Sequence, residues 1–250
     1  MTAFKSLRVR LSQGTQYIAD LRKAAPAGFR GLPVLDAAPC GAGCAACREV
    51  CPTGAISLDP LQLDLGRCVF CQACVEACPD GKIHFTSEPK MGAVEREALM
   101  VREGAADRTR LKASAAFSKL FGRSLKMRQV SAGGCNACEL ELNATVNVNF
   151  DVQRFGIEWV ASPRHADALV VTGPLTVNMK QAIRSAWEAM PEPRFVVAVG
   201  ACAISGGLYA GAGGVDRAFL ESVGPSLFIP GCPPHPLTFI NALLDFLGID

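Results

Sequence analysis

The chain is 250 residues long, half hydrophobic and 19% charged, with a formal net charge of +2. That length can bury a core in one large or two modest domains, and that composition excludes disorder as a global description. So small a net charge gives no ground for a nucleic-acid partner or an acidic substrate.

Residues 1–31 alternate basic and apolar positions (Phe4, Leu7, Val9 and Leu11, then Tyr17, Ile18 and Leu21). The pattern predicts an N-terminal arm, partly helical and ended by Pro26 and Gly28. It has no apolar core followed by a small-residue cleavage site and no consecutive arginine pair. The longest apolar stretch, Phe195 to Ile204, is about half the ~20 residues of a membrane span. The expectation is a soluble, cytoplasmic chain with no transmembrane span of its own. In that compartment thiols stay reduced, and clustered cysteines bind metal more often than they pair as disulfides.

Residues 32–90 carry an internal repeat. Cys44-Ala-Ala-Cys47-Arg-Glu-Val-Cys51-Pro-Thr-Gly-Ala-Ile recurs as Cys71-Gln-Ala-Cys74-Val-Glu-Ala-Cys78-Pro-Asp-Gly-Lys-Ile, at an offset of 27 residues. The offset becomes 28 for Cys40 and Cys68, because Gly41-Ala42-Gly43 holds one residue more than its counterpart. Two half-units this short make a module too small to be stable without its metal. Tight Cys-x-x-Cys steps place three thiolates around one face of an iron–sulfur cubane. Zinc ribbons also use Cys-x-x-Cys pairs, but they do not need the doubled Cys-x3-Cys-Pro.

Residues 91–126 are expected to form a basic helical linker, since 91–130 hold nine Lys or Arg against four acids. Such a run is ordinarily a solvated face; contact with a partner protein or an anionic membrane is the second reading.

From residue 127 to 250 short apolar strands alternate with helices. Strands are predicted at Ile157–Val160, Ala168–Thr172, Phe195–Val199 and Leu227–Ile229, with a further strand before Cys135. Helices are predicted at Glu139–Val148, Val177–Met190, Val215–Val223 and Leu237–Leu247. The alternation implies an α/β fold with a flavodoxin-like parallel sheet, preceded by a small α+β ferredoxin-like domain. Cys135 and Cys138 (after Gly133-Gly134), Cys202 and Cys232 all fall at or just beyond carboxyl ends of strands. An open α/β sheet places its ligand site there. Gly134, Gly231 and Pro233 flank these cysteines and are expected to let backbone approach a bulky cofactor.

Two resemblances sharpen this. Cys68-x2-Cys71-x2-Cys74-x3-Cys78-Pro79 resembles a bacterial-type two-cluster ferredoxin. That likeness implies one cluster on Cys40, Cys44, Cys47 and Cys78, and a second on Cys68, Cys71, Cys74 and Cys51. The longer first loop leaves a shifted potential or a three-iron cluster open. Residues 127–248 resemble the small-subunit family shared by respiratory complex I and nickel–iron hydrogenases. The matching pieces include Gly134-Cys135, Ala161-Ser162-Pro163-Arg164, Gly200-Ala201-Cys202-Ala203 and Pro230-Gly231-Cys232-Pro233-Pro234. Cys-x-x-Cys at the first site is similar to the membrane-bound hydrogenase and formate hydrogenlyase side, since the complex I members carry adjacent cysteines there.

The resemblance implies a third 4Fe–4S cluster on Cys135, Cys138, Cys202 and Cys232, an electron-transfer role, and a large catalytic partner subunit in a membrane-bound complex. It implies a peripheral position at the inner face of the cell membrane, held through partner subunits, and no catalytic residue of its own. The large subunit is expected to hold nickel–iron; a complex I-like quinone-reducing partner and a free-standing carrier or scaffold are the alternatives. Glu141 stands where the family carries an acid and is a candidate for cluster tuning. His235 follows Cys232-Pro-Pro, but histidine ligation is uncommon where four cysteines are present. Gly206-Gly207 and Gly211-Ala-Gly-Gly214 lack the order of a phosphate loop and read as a flexible loop.

Overall fold

The computed structural model describes residues 2–37, 40–104, 111 and 115–249. An N-terminal helix, α1 (Thr2–Gln13), opens the chain. It ends at Gly14, whose φ of 65° only glycine adopts readily, well before the expected stop at Pro26 and Gly28. The remainder of the arm lies along the C-terminal half, with Leu21 buried in its core.

The cysteine-rich region follows as β1 (Pro33–Leu35), α2 (Ala46–Glu49), β2 (Ile56–Ser57), β3 (Gln62–Asp64), α3 (Ala73–Ala77) and β4 (Ile83–Phe85). β1 pairs antiparallel with β4. β2 and β3 pair antiparallel, and β3 also pairs with β5 (Met100–Arg102).

That last pairing corrects the expected helical linker over 91–126. β5 lies inside it as a strand, and Ala93 forms an antiparallel bridge with Phe228. Val101 points inward between half-exposed and exposed neighbours, which is strand rather than helix patterning. Among the described residues of the linker, helix is confined to a 3-10 turn at Glu97–Leu99 and to α4 (Ala115–Phe121). Residues 105–110 and 112–114 lie outside the described residues.

The C-terminal region contains β6 (Leu125–Ser131), α5 (Ala137–Ala144), β7 (Ile157–Trp159), β8 (Ala168–Thr172), α6 (Lys180–Glu188), β9 (Phe195–Val199), α7 (Gly200–Ser205), α8 (Ala218–Val223), β10 (Leu227–Ile229) and α9 (Pro236–Leu247). Its five strands are all parallel, in the order β10-β9-β8-β6-β7. Counted from β6, that is the flavodoxin-like order 2-1-3-4-5, with its switch point between β6 and β8.

β8 and β9 are buried at every residue and feed two cores by period-2 alternation. Val170 and Val197 face Leu125, Phe239 and Leu243, while Leu169 and Val196 face Ile183 and Phe219. Each fully buried Leu or Phe contributes roughly 1.5–3 kcal/mol of transfer free energy. The ferredoxin-like core is continuous with the sheet domain, because Ala198, Ile204 and Phe228 pack with Leu63, Leu65 and Met91. Both halves therefore share one buried seam. Among the described residues no helix is long and apolar enough to cross a membrane.

Candidate iron–sulfur sites

The same local device builds two of the Cys-x-x-Cys pairs. Gln72 (φ 68°) follows Cys71 and Asn136 (φ 69°) follows Cys135, each in the left-handed region immediately before a helix. The reversal lies between the two cysteines, and the second enters on the first turn of the helix. In the first half-unit Gly43 (72°) matches Phe70 (55°) at the repeat offset, but Ala45, the counterpart of Gln72, is at −131°.

Tertiary folding brings cysteines from separate segments within electrostatic reach of one another. Cys47 lies within electrostatic reach of Cys78, Cys40 and Cys44, and burial, then those neighbours, pushes its thiol up. Burial raises Cys68 to about 12 and Cys74 to about 11, with Cys51 and Cys71 adding to both and Cys47 adding to Cys74. Cys51 and Cys78 are therefore exchanged between the half-units. Burial, with Cys232 and Cys135 beside it, raises Cys202 to about 11, and burial also pushes up Cys138 and Cys232. Thiols so buried and crowded hold their protons until a cationic centre displaces them, so the donor chemistry suits an iron–sulfur group. Among the described residues no three His, Cys, Asp or Glu close to single-ion spacing. A cubane spreads its thiolates over four corners rather than one centre.

Backbone amides point at several sulfurs. Ala55 N donates to Cys51 Sγ at 3.2 Å, Phe70 N to Cys68 Sγ at 3.3 Å and Lys82 N to Cys78 Sγ at 3.4 Å. Such bonds stabilise thiolate charge and tune a cluster.

The dispersed set sits beyond β6, β9 and β10. At the switch point Gly134 packs against Gly173, whose Cα stands 3.1 Å from where a Gly134 Cβ would be. Gly231 (φ 149°) lies where a Cβ would fall 2.3 Å from Pro234 Cα. Both glycines serve backbone packing around the site. Two glycines not assigned to the site from the sequence approach the sulfurs more directly. A Cβ on Gly200 (φ 86°) would stand 2.8 Å from Cys138 Sγ, and one on Gly207 3.1 Å from Cys202 Sγ. Gly206-Gly207, read as a flexible loop, instead caps α7 and packs against Cys202.

Glu139 was also missed. It is buried, and Thr172 Oγ1 donates to its Oε1 at 2.5 Å. Burial works to raise its carboxyl, but hydrogen bonds from Ser131 and Thr172 outweigh this and hold it below the usual range. Glu141 lies half-buried on the same helix, and burial raises its carboxyl. Glu141 lines a cavity of about 330 Å³ with Arg30, Cys71, Cys232, Pro233 and His235. That cavity joins a cysteine of the repeat to a cysteine of the dispersed set. The His235 ring lies 5.1 Å from that of Phe29 and 5.8 Å from that of Phe150. Its Nδ1 accepts from Leu237 N at 3.1 Å, so it caps α9. At the other end, Cys40, Cys44, Arg48, Asp59 and Glu103 line a cavity of about 540 Å³.

Residues 135–246 match the family model of the NADH ubiquinone oxidoreductase 20 Kd subunit, and residues 39–82 match that of the 4Fe-4S dicluster domain. A probable membrane-bound hydrogenase subunit, mbhJ of Pyrococcus furiosus, is 35% identical over 55% of this chain and 83% of its own length. The chain belongs to the 20 kDa subunit family. Formate hydrogenlyase subunit 7 of Escherichia coli is 41% identical over 54% of this chain. An NADH-quinone oxidoreductase subunit of Citrifermentans bemidjiense is 43% identical over 44%. The matched region spans 53% and 65% of those two relatives. In this member of the 20 kDa subunit family, 4Fe–4S binding stands on the dicluster match. The repeat precedes the family domain in one chain.

Proposed function

We propose that this chain is the electron-transfer subunit of a membrane-associated, hydrogenase-type complex and holds three 4Fe–4S groups. The sets are Cys40, Cys44, Cys47 and Cys78; Cys68, Cys71, Cys74 and Cys51; and Cys135, Cys138, Cys202 and Cys232. When bound, these groups supply one-electron chemistry. The residues hold them, bury their thiolates and fix their separation.

The observation that carries the reading is the cavity lined by both Cys71 and Cys232. A cavity shared by Cys71 and Cys232 supports second and third sets lying side by side across a shared core, with the first set at the far end. Exposed Cys40 marks one terminus. At the other, Cys135 and Cys232 are exposed and the site is flanked by exposed Leu140 (62%), Leu208 (59%) and Tyr209 (47%). An apolar rim around a polar centre suits a large catalytic subunit. The Cys135-x-x-Cys138 spacing favours a nickel–iron partner over a quinone-reducing one. The chain alone is inactive, and it reaches the membrane through partner subunits.

Iron and sulfide analysis of the full chain tests the reading, with about twelve irons expected. Cys51→Ser and Cys78→Ser are expected to disturb two different EPR signals. Far fewer irons, or both variants disturbing one signal, would sink it. A co-purifying large subunit with two Cys-x-x-Cys pairs is the expected partner.

A further inference from the structure

Lys82 is 3% exposed, and among the described residues its Nζ has no hydrogen-bond partner. A buried charge without a partner is among the most costly features a fold can carry, so its persistence calls for an acceptor.

The internal repeat says where that acceptor lies. Lys82 stands 27 residues after Ala55, in Cys78-Pro-Asp-Gly-Lys82 against Cys51-Pro-Thr-Gly-Ala55. The two positions match in three dimensions as well, because each backbone N–H donates to the sulfur of its own Cys-Pro cysteine. Ala55 lines the cavity walled by Cys51, Cys68, Cys71 and Cys74. The half-unit symmetry therefore sets Lys82 beside the set containing Cys78, with Cys40, Cys44 and Cys47.

We infer that the Lys82 ammonium is the charge partner of the iron–sulfur group held by Cys40, Cys44, Cys47 and Cys78, and that it raises that group's reduction potential above its twin's. The inference rests on the three-set reading above. Four thiolates leave such a group with net negative charge, and each added electron deepens it. A nearby buried cation favours the reduced form. The twin has the methyl group of Ala55 at the matching place and no such charge. Duplication made two similar halves, and this substitution sets a buried charge in only one of them. The outermost group then becomes the preferred resting place for an electron within the pair.

The test is an EPR-monitored potentiometric titration of the full, cluster-loaded chain. Lys82→Met keeps the side chain's length without its charge, and Lys82→Ala copies the residue the first half carries. In both, the signal that Cys78→Ser also disturbs is expected to need a lower potential. Its reduction equilibrium should fall at least about tenfold, or about 59 mV for one electron. Lys82→Arg should retain most of the wild-type value. Unchanged potentials in loaded Lys82→Met and Lys82→Ala would overturn the inference while leaving the three-set reading intact. A shift confined to the signal disturbed by Cys51→Ser would overturn it equally. A wild-type chain lacking the about eight irons of the repeat would overturn the parent reading, and this one with it.

Discussion

Asn241 Nδ2 donates to the backbone carbonyl of Leu21 at 2.9 Å, linking residues 220 positions apart. The same amide donates to the Leu237 carbonyl at 2.9 Å, and its Oδ1 accepts from Arg22 Nη1 at 2.9 Å. Arg22 also pairs with Asp245. The arm is thus strapped to α9, the helix that begins shortly after Cys232 and carries the His235 cap. The strap fixes Phe29 and Arg30 at the cavity between Cys71 and Cys232.

Asn241→Ala is expected to lower stability by about 1–3 kcal/mol, because it strands the Leu21 carbonyl and one edge of the Arg22 guanidinium in a partly buried place. Protease digestion should then cut the arm before the sheet domain. Denaturant unfolding monitored alongside limited proteolysis measures both, and an arm as protected as in the wild type would contradict the strap.

Gly200→Ala is expected to disrupt the dispersed site specifically. The added methyl would lie 2.8 Å from Cys138 Sγ at a φ of 86°. The backbone cost alone exceeds about 1 kcal/mol, and about four irons per chain should be lost. Gly211→Ala is the control, with a similar φ of 80° but open space around it. It should keep its full iron. Equal iron in both variants would refute the close approach.

Burial lowers the pKa of His235 from its ordinary 6.5. Its Nδ1 must also stay unprotonated to accept from Leu237 N. A folded value below the unfolded one means that the unfolded chain takes up the proton first as pH falls. This contribution to stability is therefore complete above about 6.5 and is lost as pH falls toward the lower, folded value. His235→Asn keeps an N-cap acceptor and removes the titration. The denaturation midpoint of the wild type should fall more steeply than the variant's as pH drops from about 7.5 to about 6, the range around the ordinary histidine value. Parallel slopes would show that His235 does not titrate with unfolding.

Much of the chemistry was legible in local spacing. The Cys-x-x-Cys steps, the Cys-Pro turns and the 27-residue repeat operate over a few residues, where turn geometry is encoded by the residues themselves. The α/β alternation of 127–250 was legible for the same reason, since Ala168–Thr172 and Phe195–Val199 recur as β8 and β9. Spacing also placed all four dispersed cysteines at strand ends. What it could not supply was depth. Glu141 and Glu139 look alike as helix acids, yet Glu139 is the one buried against Thr172. A linker rich in charge reads as helix until β3 offers its edge to Met100–Arg102.

The amino-acid sequence by itself determined the number and spacing of the cysteines, because these are local properties of the chain. Only the tertiary structure decided what stands beside them: the cavity shared by Cys71 and Cys232, the strap from Leu21 to Asn241, and the buried, unpartnered Lys82. These depend on which surfaces meet across tens to hundreds of residues, and burial rather than residue type sets the energy of a charge there.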